Sequence, residues 1–388
     1  MNESRHPSQA HVLVVDDNED NRDMLARRLT RQGHLVSLAS DGQQALQLMH
    51  EHRFDLVLLD IMMPGMNGYQ VLEAMRNEPD LQHLPVVVVS AVDDVDSVVR
   101  CIELGAEDYL FKPINAVLLR ARVNASLEKK RLRDEEQAYL AAIQREMNLA
   151  RHIQASFLPE RLPQPPGWQI AAMFQPASQV AGDFYDVFAL PGQRLGLLIG
   201  DVCGKGVGAA LFMALTRSLL RAFAEQHTRS PEDTLSAVTL ANDYMVRHHQ
   251  PQATMFATLF FGVLELDSGQ LSYINAGHFP PVVVSHSGES SLLDPSGPLV
   301  GVTQDFPFNI RVIQLQMGDR LLAYTDGVIE TANPQGELFG QTRLLELLAM
   351  PQPSAAACLE HIAARLLEFS GGSPCADDLT MLAVCREA

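Results

Sequence analysis

The sequence lacks paired cysteines, an excess of positive charge and long hydrophobic runs, and each absence excludes a class of protein. The 5 cysteines are odd in number and show no CxxC spacing; they are Cys101, Cys203, Cys358, Cys375 and Cys385. In a chain of 388 residues, this pattern indicates reduced thiols rather than a disulfide framework. The cysteines therefore predict a cytoplasmic protein.

Positive charge is scarce, because 29 Lys and Arg residues face 47 Asp and Glu residues, for a net charge of −18. Such a surface repels the phosphate backbone, so the sequence predicts no nucleic-acid partner. One short basic cluster, Lys129–Arg131 with Arg133, is followed at once by the acidic residues 134–136. We interpret this cluster as a solvated helix face.

Long hydrophobic runs are also missing. No apolar stretch precedes the first predicted strand, so we expect no signal peptide, and no run approaches the length that spans a bilayer. We therefore expect no membrane association. A hydrophobic content of 47% with 20% charged residues is typical of a globular protein, and the length predicts two domains.

The first predicted domain, residues 11–125, alternates short apolar strands with segments of helical period. The strands are His11–Val15, Asp55–Asp60, Pro85–Ser90 and Asp108–Phe111. Strands that are apolar throughout, with helices between them, predict a doubly wound parallel sheet covered on both faces. We expect the sheet to have five strands, of which these four are identified. Ligands bind such sheets beyond the carboxyl ends of the strands.

Five residues suited to phosphoryl chemistry stand at these strand ends: Asp16, Asp17, Asp60, Ser90 and Lys112. The first two can hold a hard divalent cation, while Asp60 can attack a phosphoryl donor. Ser90 and Lys112 can bind phosphoryl oxygens, and we expect a cis Lys112–Pro113 peptide that aims the lysine at them. A helix-capping role explains one of these aspartates easily, but explains the whole set less well.

The segments VVDDN, LLDIMMPGMNGY, VVSA and GAEDYLFKP resemble a response-regulator receiver domain over nearly all of residues 11–125. The resemblance implies that Asp60 is the phosphoacceptor. It also implies a Mg²⁺ ion held by Asp17, Asp60 and the Met62 carbonyl group, with Asp16 acting through water.

The same resemblance implies that Ser90 and Tyr109 form a switch pair, and that a histidine kinase is the partner that supplies the phosphoryl group. No site residue departs from the family pattern, so we expect a competent receiver.

The connector, residues 118–160, is predicted to be one long helix, because Leu118–Phe157 contains no Gly or Pro and is rich in helix formers. Six positions at alternating four- and three-residue steps form a largely apolar seam: Tyr139, Ile143, Glu146, Ala150, Ile153 and Phe157. The seam predicts a dimerising coiled coil. An amphipathic helix that lies on its own domain is the alternative.

The second predicted domain, residues 160–388, begins where Leu162–Gly167 breaks the helix. Strand-like runs at 195–199, 256–266, 270–275, 281–285, 320–324 and 378–385 accompany helical stretches at 207–226, 231–248 and 354–369. This grouping predicts an α+β fold of two packed antiparallel sheets flanked by helices.

Acidic residues stand next to glycines or turns at the strand ends of this domain: Asp183, Asp201, Asp326, Asp377 and Asp378. A single Asp-Gly pair is usually only a turn. Together, without a His or Cys cluster, these carboxylates predict a site for two Mg²⁺ or Mn²⁺ ions. Such a pair of ions generates hydroxide and stabilises displacement at phosphorus.

Two other phosphate chemistries fail on the sequence. A cysteine-dependent phosphatase loop at Cys203 would need an arginine where Ala209 stands. A nucleotide-binding loop at Gly200–Gly206 would need Ser or Thr after Lys205, where Gly206 stands instead.

Residues 150–386 resemble the metal-dependent serine/threonine phosphatases of the PP2C superfamily, in the bacterial branch that contains SpoIIE and RsbU. The segments GDFYD, GDVCGKG, YTDGV, ADDLT and NAGHFP carry this resemblance. It implies that Asp201 bridges two metals with help from the Val202 carbonyl group, that Asp183 binds the second metal, and that Asp326 and Asp377 bind the first.

The remaining positions of the motifs have less defined roles. Asp378 lies beside the ligands, and Thr380 and Gly327 are expected to be structural. His278 either donates to substrate or supports its own turn.

The two resemblances together imply a response regulator that controls a phosphatase of phosphoserine or phosphothreonine proteins. In this branch the substrate is usually an anti-sigma-factor antagonist in a partner-switching pathway. One alternative is a non-catalytic adaptor that binds a sigma factor or another regulator, although such relatives lack acidic ligands that this chain keeps. A phosphatase of nucleotides or small molecules is a further alternative.

Overall fold

The structure is a computed structural model that describes residues 9–91, 95–249, 255–373 and 376–387. It divides into two compact units, Met1–Ile143 and Gln144–Ala388, and the boundary falls inside one long helix. Cys375 and the first eight residues lie outside the described residues. The prediction of reduced thiols rests in part on Cys375, and the prediction that there is no signal peptide rests in part on those eight residues.

The first unit contains a five-stranded parallel sheet in the order β2-β1-β3-β4-β5. Its strands are β1 (His11–Val15), β2 (Leu35–Ala39), β3 (Leu56–Asp60), β4 (Val86–Ser90) and β5 (Asp108–Phe111). Four helices connect them: α1 (Glu19–Arg31), α2 (Gly42–Glu51), α3 (Gly68–Asn77) and α4 (Val95–Glu103). Every residue of β3 and β4 is buried, because apolar clusters cover both faces of the sheet. The predicted doubly wound fold is confirmed.

Helix α5 (Ala116–Phe157) confirms the predicted connector helix over 42 residues. Its first turns are anchored in the first unit by Leu119 and Val123, which are fully buried. Further along, the seam residues Tyr139 and Ile153 are 68% and 53% exposed. The dimeric coiled coil remains a prediction.

The basic cluster on α5 is solvated in part, as expected, since the side chains of Lys129 and Arg131 are 63% and 55% exposed. Lys129 and Arg133 both lie 3.7 Å from the Glu107 carboxylate, and Arg133 also donates to the His83 carbonyl oxygen at 3.2 Å. Lys130 lies 3.7 Å from Asp55. Lys129, Lys130 and Arg133 thus also contact other elements of their own unit, and these long-range contacts were not predicted from the sequence.

The second unit contains two five-stranded antiparallel sheets. One has the order β13-β10-β9-β8-β7 and the other β12-β11-β14-β15-β6. The first comprises β7 (Phe184–Leu190), β8 (Arg194–Val202), β9 (Ala257–Glu265), β10 (Gln270–Ala276) and β13 (Arg311–Gln314). The second comprises β6 (Trp168–Gln175), β11 (Val282–Val284), β12 (Ser290–Leu292), β14 (Arg320–Tyr324) and β15 (Leu379–Arg386).

Helices cover the outer faces of these sheets: α6 (Val207–Gln226), α7 (Pro231–His249), α8 (Asp326–Ile329), α9 (Gly340–Ala349) and α10 (Ala355–Phe369). Side chains from both sheets, including Trp168, Phe260 and Leu382, form the core between them. A second cluster joins α6 and α7 to the first sheet, and a third joins α9 and α10 to the other sheet. This arrangement confirms the predicted fold class.

Several elements of this unit have no clear signal in the sequence. Strand β6 contains two alanines, which are poor strand formers, yet all eight of its residues pair with β15. Strands β7, β12 and β13 and helix α9 were likewise not expected. Strands β6 and β13 pair with strands that are not their neighbours in the chain, whereas β7 and β12 pair with the adjacent strands β8 and β11.

In the described residues one helix, α6, is long and apolar enough to cross a membrane by length and composition. The expectation that no segment approaches this length is therefore wrong. The fully buried side chains of Met213 and Leu220 pack in the same cluster as Phe184 and Phe261 of the adjacent sheet, so α6 contributes to the core of this unit.

The side chain of Asp186 on β7 is fully buried and pairs with two arginines of α6, Arg217 at 2.6 Å and Arg221 at 3.2 Å. Asp186→Ala would leave the Arg217 side chain, which is only 11% exposed, without this partner. We expect the unit to lose about 3 kcal/mol of unfolding free energy. The chain's 1 tryptophan, Trp168, is buried here, so its fluorescence during urea unfolding reports on this unit.

Glu225→Gln is the matched control, because Glu225 forms an exposed pair with the same Arg221. Its loss should cost under about 1 kcal/mol. Equal losses in the two variants would contradict the role assigned to Asp186.

Candidate active sites

The first candidate site lies at the carboxyl ends of the parallel strands. Asp16 follows β1, Asp60 ends β3, and Lys112 follows β5. The Lys112 ammonium group donates to Asp16 at 2.8 Å and to Asp60 at 2.6 Å. Carboxylate oxygens of Asp16, Asp17 and Asp60 all lie within 4.8 Å of one another. The structure therefore brings these four predicted residues together.

Burial and charge act on Asp60 in opposite directions. Burial raises the pKa of the Asp60 carboxyl, and the Asp16 charge raises it further, while Lys112 opposes the shift. Burial alone would lower the pKa of Lys112, but the hydrogen bonds and charges of the two aspartates outweigh it and raise that pKa. Lys112 therefore carries a positive charge that holds two buried carboxylates together.

The other predicted residues of this site lie around it. Ser90 is fully buried at the end of β4, and its carbonyl oxygen accepts from the Lys112 N–H at 2.9 Å. Tyr109 is buried with its ring 5.0 Å from that of Phe111. The Met62 N–H donates to Asp60 at 3.3 Å. The Lys112–Pro113 peptide is cis, as expected.

Arg22 is a contributor that the sequence reasoning missed. Its guanidinium group donates to the carbonyl oxygens of Asp16 at 2.7 Å and of Asp17 at 2.9 Å. It thereby fixes the turn that presents both carboxylates. An arginine on the first turn of α1, just after the acidic pair, was the available signal.

The three clustered carboxylates provide hard oxygen donors of the kind that Mg²⁺ prefers. Asp17 is exposed while Asp16 and Asp60 are buried, so the group opens to solvent on one side. This donor set fits a divalent cation.

The second candidate site draws its residues from both antiparallel sheets. Asp201 lies on β8 and Asp183 just precedes β7, whereas Asp326 begins α8 after β14 and Asp377 precedes β15. Gly182 allows a close approach between the segments that carry Asp183 and Asp201. A Cβ atom there would lie 2.8 Å from the Val202 carbonyl oxygen.

Two threonine hydroxyl groups orient Asp183, which is only 1% exposed. Thr325 donates to its Oδ2 atom at 2.7 Å, and Thr380 donates to the same atom at 2.6 Å. Burial raises the pKa of Asp183 well above its ordinary value, and the Asp201 charge adds to the shift. Thr380 is thus structural, as expected, and Thr325 is a residue that sequence reasoning missed.

The charge of Asp201 interacts with those of the other aspartates of this site. Burial, with added repulsion from Asp326, Asp377 and Asp378, raises the pKa of Asp201 to about 7. Burial and the Asp377 charge likewise raise the pKa of Asp326. Carboxylates that repel one another in this way favour a bound cation.

The chemistry of the donors fits Mg²⁺ or Mn²⁺, but the spacing is wider than in the first site. In the described part of the chain, oxygens of Asp201, Asp326 and Asp377 do not all come within 4.8 Å of one another. Asp377 instead pairs with Lys205 at 2.9 Å.

Asp378 fastens the loop before Asp183. Its carboxylate accepts from the Ala177 N–H at 2.8 Å and from the Gly182 N–H at 2.9 Å. Gly327 packs against the same segment, because a Cβ atom on it would lie 2.0 Å from the Asp378 carbonyl oxygen. Both contacts indicate a positioning role.

His278 is buried, and its Nδ1 atom lies 2.9 Å from the Thr258 hydroxyl group. Burial lowers the pKa of the imidazole to about 4, so the ring is neutral at physiological pH. Of the two roles that the sequence left open, this placement favours support of the turn.

Comparison with known families distinguishes the two units. The family described as Stage II sporulation protein E (SpoIIE) matches residues 191–387. The chain belongs to the SpoIIE family. A response regulator receiver domain matches residues 12–124. We call the two parts the receiver domain and the SpoIIE-type domain.

Individual relatives agree with this division. Protein IcfG of Synechocystis sp. is 42% identical over 265 residues, covering 62% of this chain and 41% of that protein. The probable transcriptional regulator ycf27 of Cyanidium caldarium is 40% identical over 126 residues, covering 32% of this chain and 49% of that protein. The chain thus spans less than half of each of these two relatives.

Among solved structures, the SiaA-PP2C domain of Pseudomonas aeruginosa is similar with a TM-score of 0.55 and 22% identity. The match covers 63% of this chain and 98% of that domain. At this identity the similarity shows the fold alone.

The raised pKa of Asp201 predicts how the metal-free SpoIIE-type domain responds to pH. The folded state binds a proton more tightly than the unfolded state, so stability falls as pH rises from about 4 to about 7. Asp201→Asn removes this loss. We expect the variant to be more stable than the parent at pH 8 by up to about 4 kcal/mol, with a smaller difference at pH 5.

Urea unfolding followed by Trp168 fluorescence in EDTA measures both values. The exposed Asp267→Asn is the matched control and should show no such pH-dependent gain. A parent protein that is more stable than Asp201→Asn at pH 8 would refute the electrostatic account.

Proposed function

We propose that this chain is a response regulator whose receiver domain controls a metal-dependent protein serine/threonine phosphatase. The observation that carries the proposal is the presence of two separate carboxylate sites on one chain, joined through helix α5. One site is suited to accepting a phosphoryl group, and the other to removing one.

In the receiver domain, Asp60 would attack the phosphoryl donor through its carboxylate oxygen. Asp17, Asp60 and the Met62 carbonyl group would hold Mg²⁺, with Asp16 acting through water, and the ion supplies neutralising charge when bound. Lys112 already contacts Asp60 and would bind an oxygen of the transferred group. Ser90 and Tyr109 would then respond to the phosphorylated state.

In the SpoIIE-type domain, Asp183, Asp201, Asp326 and Asp377 would hold two Mn²⁺ or Mg²⁺ ions, with the Val202 carbonyl group as a further donor. When bound, such ions supply a hydroxide at neutral pH and stabilise negative charge at phosphorus. Thr325 and Thr380 both donate to the Oδ2 atom of Asp183, so neither hydroxyl group occupies its Oδ1 atom.

The substrate that we propose is a phosphoserine or phosphothreonine protein, specifically an anti-sigma-factor antagonist in the cytoplasm. A cognate histidine kinase would phosphorylate Asp60. Membership of the SpoIIE family and the presence of a receiver domain support these partners. The net charge of −18 agrees with a protein substrate rather than a nucleic acid.

Hydrolysis of a generic phosphoester tests the proposal. Purified protein should show Mn²⁺-dependent activity, and Asp201→Asn should lower it by about 100-fold or more, because the proposed bridging donor is lost. Asp267→Asn should retain the parental rate. An absence of both metal binding and hydrolysis would instead favour the non-catalytic adaptor.

The exposed seam of α5 supports a homodimer and can be tested separately. Ile143→Lys combined with Ile153→Lys places charge on the seam and should convert the dimer into a monomer of 42.7 kDa. Light scattering measures the mass. The control, Ala141→Lys with Asn148→Lys, adds equal charge away from the seam and should remain dimeric.

A monomeric parent protein in both receiver states would contradict the dimer. It would leave the phosphatase proposal untouched, because each site is built within a single unit.

A further inference from the structure

Lys205 lies in the loop between β8 and α6, at the rim of the second candidate site. Its side chain is 64% exposed, and its ammonium group contacts the Asp377 carboxylate at 2.9 Å. The same group donates to the Ala376 carbonyl oxygen at 3.1 Å. The flexible side chain of Lys205 thus neutralises part of the negative charge of the aspartate cluster.

The loop around Lys205 leaves room for movement. Gly204 and Gly206 adopt positive φ angles of +93° and +83°, and a Cβ atom on either would meet nothing within 4 Å. Because no neighbouring atoms crowd these positions, the backbone on both sides of Lys205 is open. The contacts to Asp377 and Ala376 are what hold the side chain in this place.

The ion pair occupies a proposed metal ligand. Lys205 contacts the Oδ2 atom of Asp377, and the oxygens of Asp201, Asp326 and Asp377 do not all lie within 4.8 Å of one another. Metal coordination by that atom and the ion pair compete for the same negative charge. Closure of the ligand set around a cation would therefore release Lys205.

A released Lys205 would remain beside the site. An ammonium group on a flexible stem is a compact positive charge with three donors, and it binds phosphate well. The loop that carries Lys205 directly follows β8, whose last two residues are Asp201 and Val202. Lys205 is therefore placed to meet the phosphoryl group of a substrate.

We propose that Lys205 is an exchangeable counter-ion, which neutralises Asp377 in the metal-free protein and binds substrate phosphate oxygens once metal displaces it. This inference rests on the proposed phosphatase function and assigns a substrate-binding residue to it. It predicts opposite effects on two ligands, since the lysine competes with the metal but attracts the phosphate.

Calorimetric titration of the full chain with Mn²⁺ alone measures the first effect. Lys205→Gln should bind Mn²⁺ about threefold to fivefold more tightly than the parent, because an exposed competing ion pair is removed. Lys205→Arg keeps the charge and should bind Mn²⁺ with an affinity close to that of the parent.

Inorganic phosphate, used as a competitive inhibitor of phosphoester hydrolysis at saturating Mn²⁺, measures the second effect. Lys205→Gln should weaken phosphate inhibition by about tenfold, the effect of losing one hydrogen bond from a charged donor. Lys205→Arg should restore most of the loss. Arg161→Gln, an exposed change of the same charge in the same unit, should alter neither quantity.

The outcomes separate this inference from the function on which it rests. Unchanged Mn²⁺ and phosphate affinities in Lys205→Gln, in a protein whose parent binds Mn²⁺ and hydrolyses phosphoesters, would overturn the role of Lys205 alone. Weaker Mn²⁺ binding in Lys205→Gln would also overturn it. A parent that neither binds Mn²⁺ nor hydrolyses phosphoesters would overturn the phosphatase proposal, and this inference with it.

Discussion

Repulsion between carboxylates that the fold holds close together is the constraint on which both sites depend. In the receiver domain a largely buried lysine, Lys112, bridges Asp16 and Asp60 and offsets this repulsion. In the SpoIIE-type domain the exposed Lys205 pairs with Asp377, and the pKa of Asp201 rises to about 7. Lysine side chains therefore neutralise more of the carboxylate charge in the receiver site than in the SpoIIE-type site. The second site has the greater need for added cations.

The two folds gather their acidic residues in different ways. A parallel sheet brings the carboxyl ends of its strands to one edge, so alternation of strands and helices is sufficient to assemble Asp16, Asp60 and Lys112. In the SpoIIE-type domain the carboxylates come from two sheets. Supporting groups must hold them, including the Thr325 and Thr380 hydroxyl groups and the Asp378 carboxylate.

This difference explains how much could be predicted from the sequence. Four of the five receiver strands and the long helix were predicted within a few residues, because each is a continuous apolar or helix-forming segment. Strand β2 was not located, because it is a partly exposed strand at the edge of the sheet. Strand β6 was missed, because its stability comes from pairing with β15 at the far end of the chain. The same limit hid the support of Asp183 by Thr380, which is 197 residues away.

The local sequence also did not predict the ion-pair partners of several lysine and arginine side chains. From the sequence, Lys205 was used only to exclude a nucleotide-binding loop. The basic cluster on α5 was interpreted as a solvated helix face, and its contacts with Glu107 were not predicted. In both cases the partner carboxylate, Asp377 or Glu107, lies outside the local sequence segment. The sequence identified the acidic residues more readily than their partners, because the acidic residues stand at recognisable strand ends.

We propose that the state of Asp60 controls chemistry in the SpoIIE-type domain. The most direct test is the Mn²⁺-dependent rate of phosphoester hydrolysis by the full chain, with and without beryllofluoride and Mg²⁺ to mimic phosphorylated Asp60. Asp60→Ala is the matched control. Beryllofluoride should change the rate in the parent protein and leave it unchanged in Asp60→Ala. Equal rates with and without beryllofluoride in the parent, once its binding to the receiver is verified, would contradict this proposal.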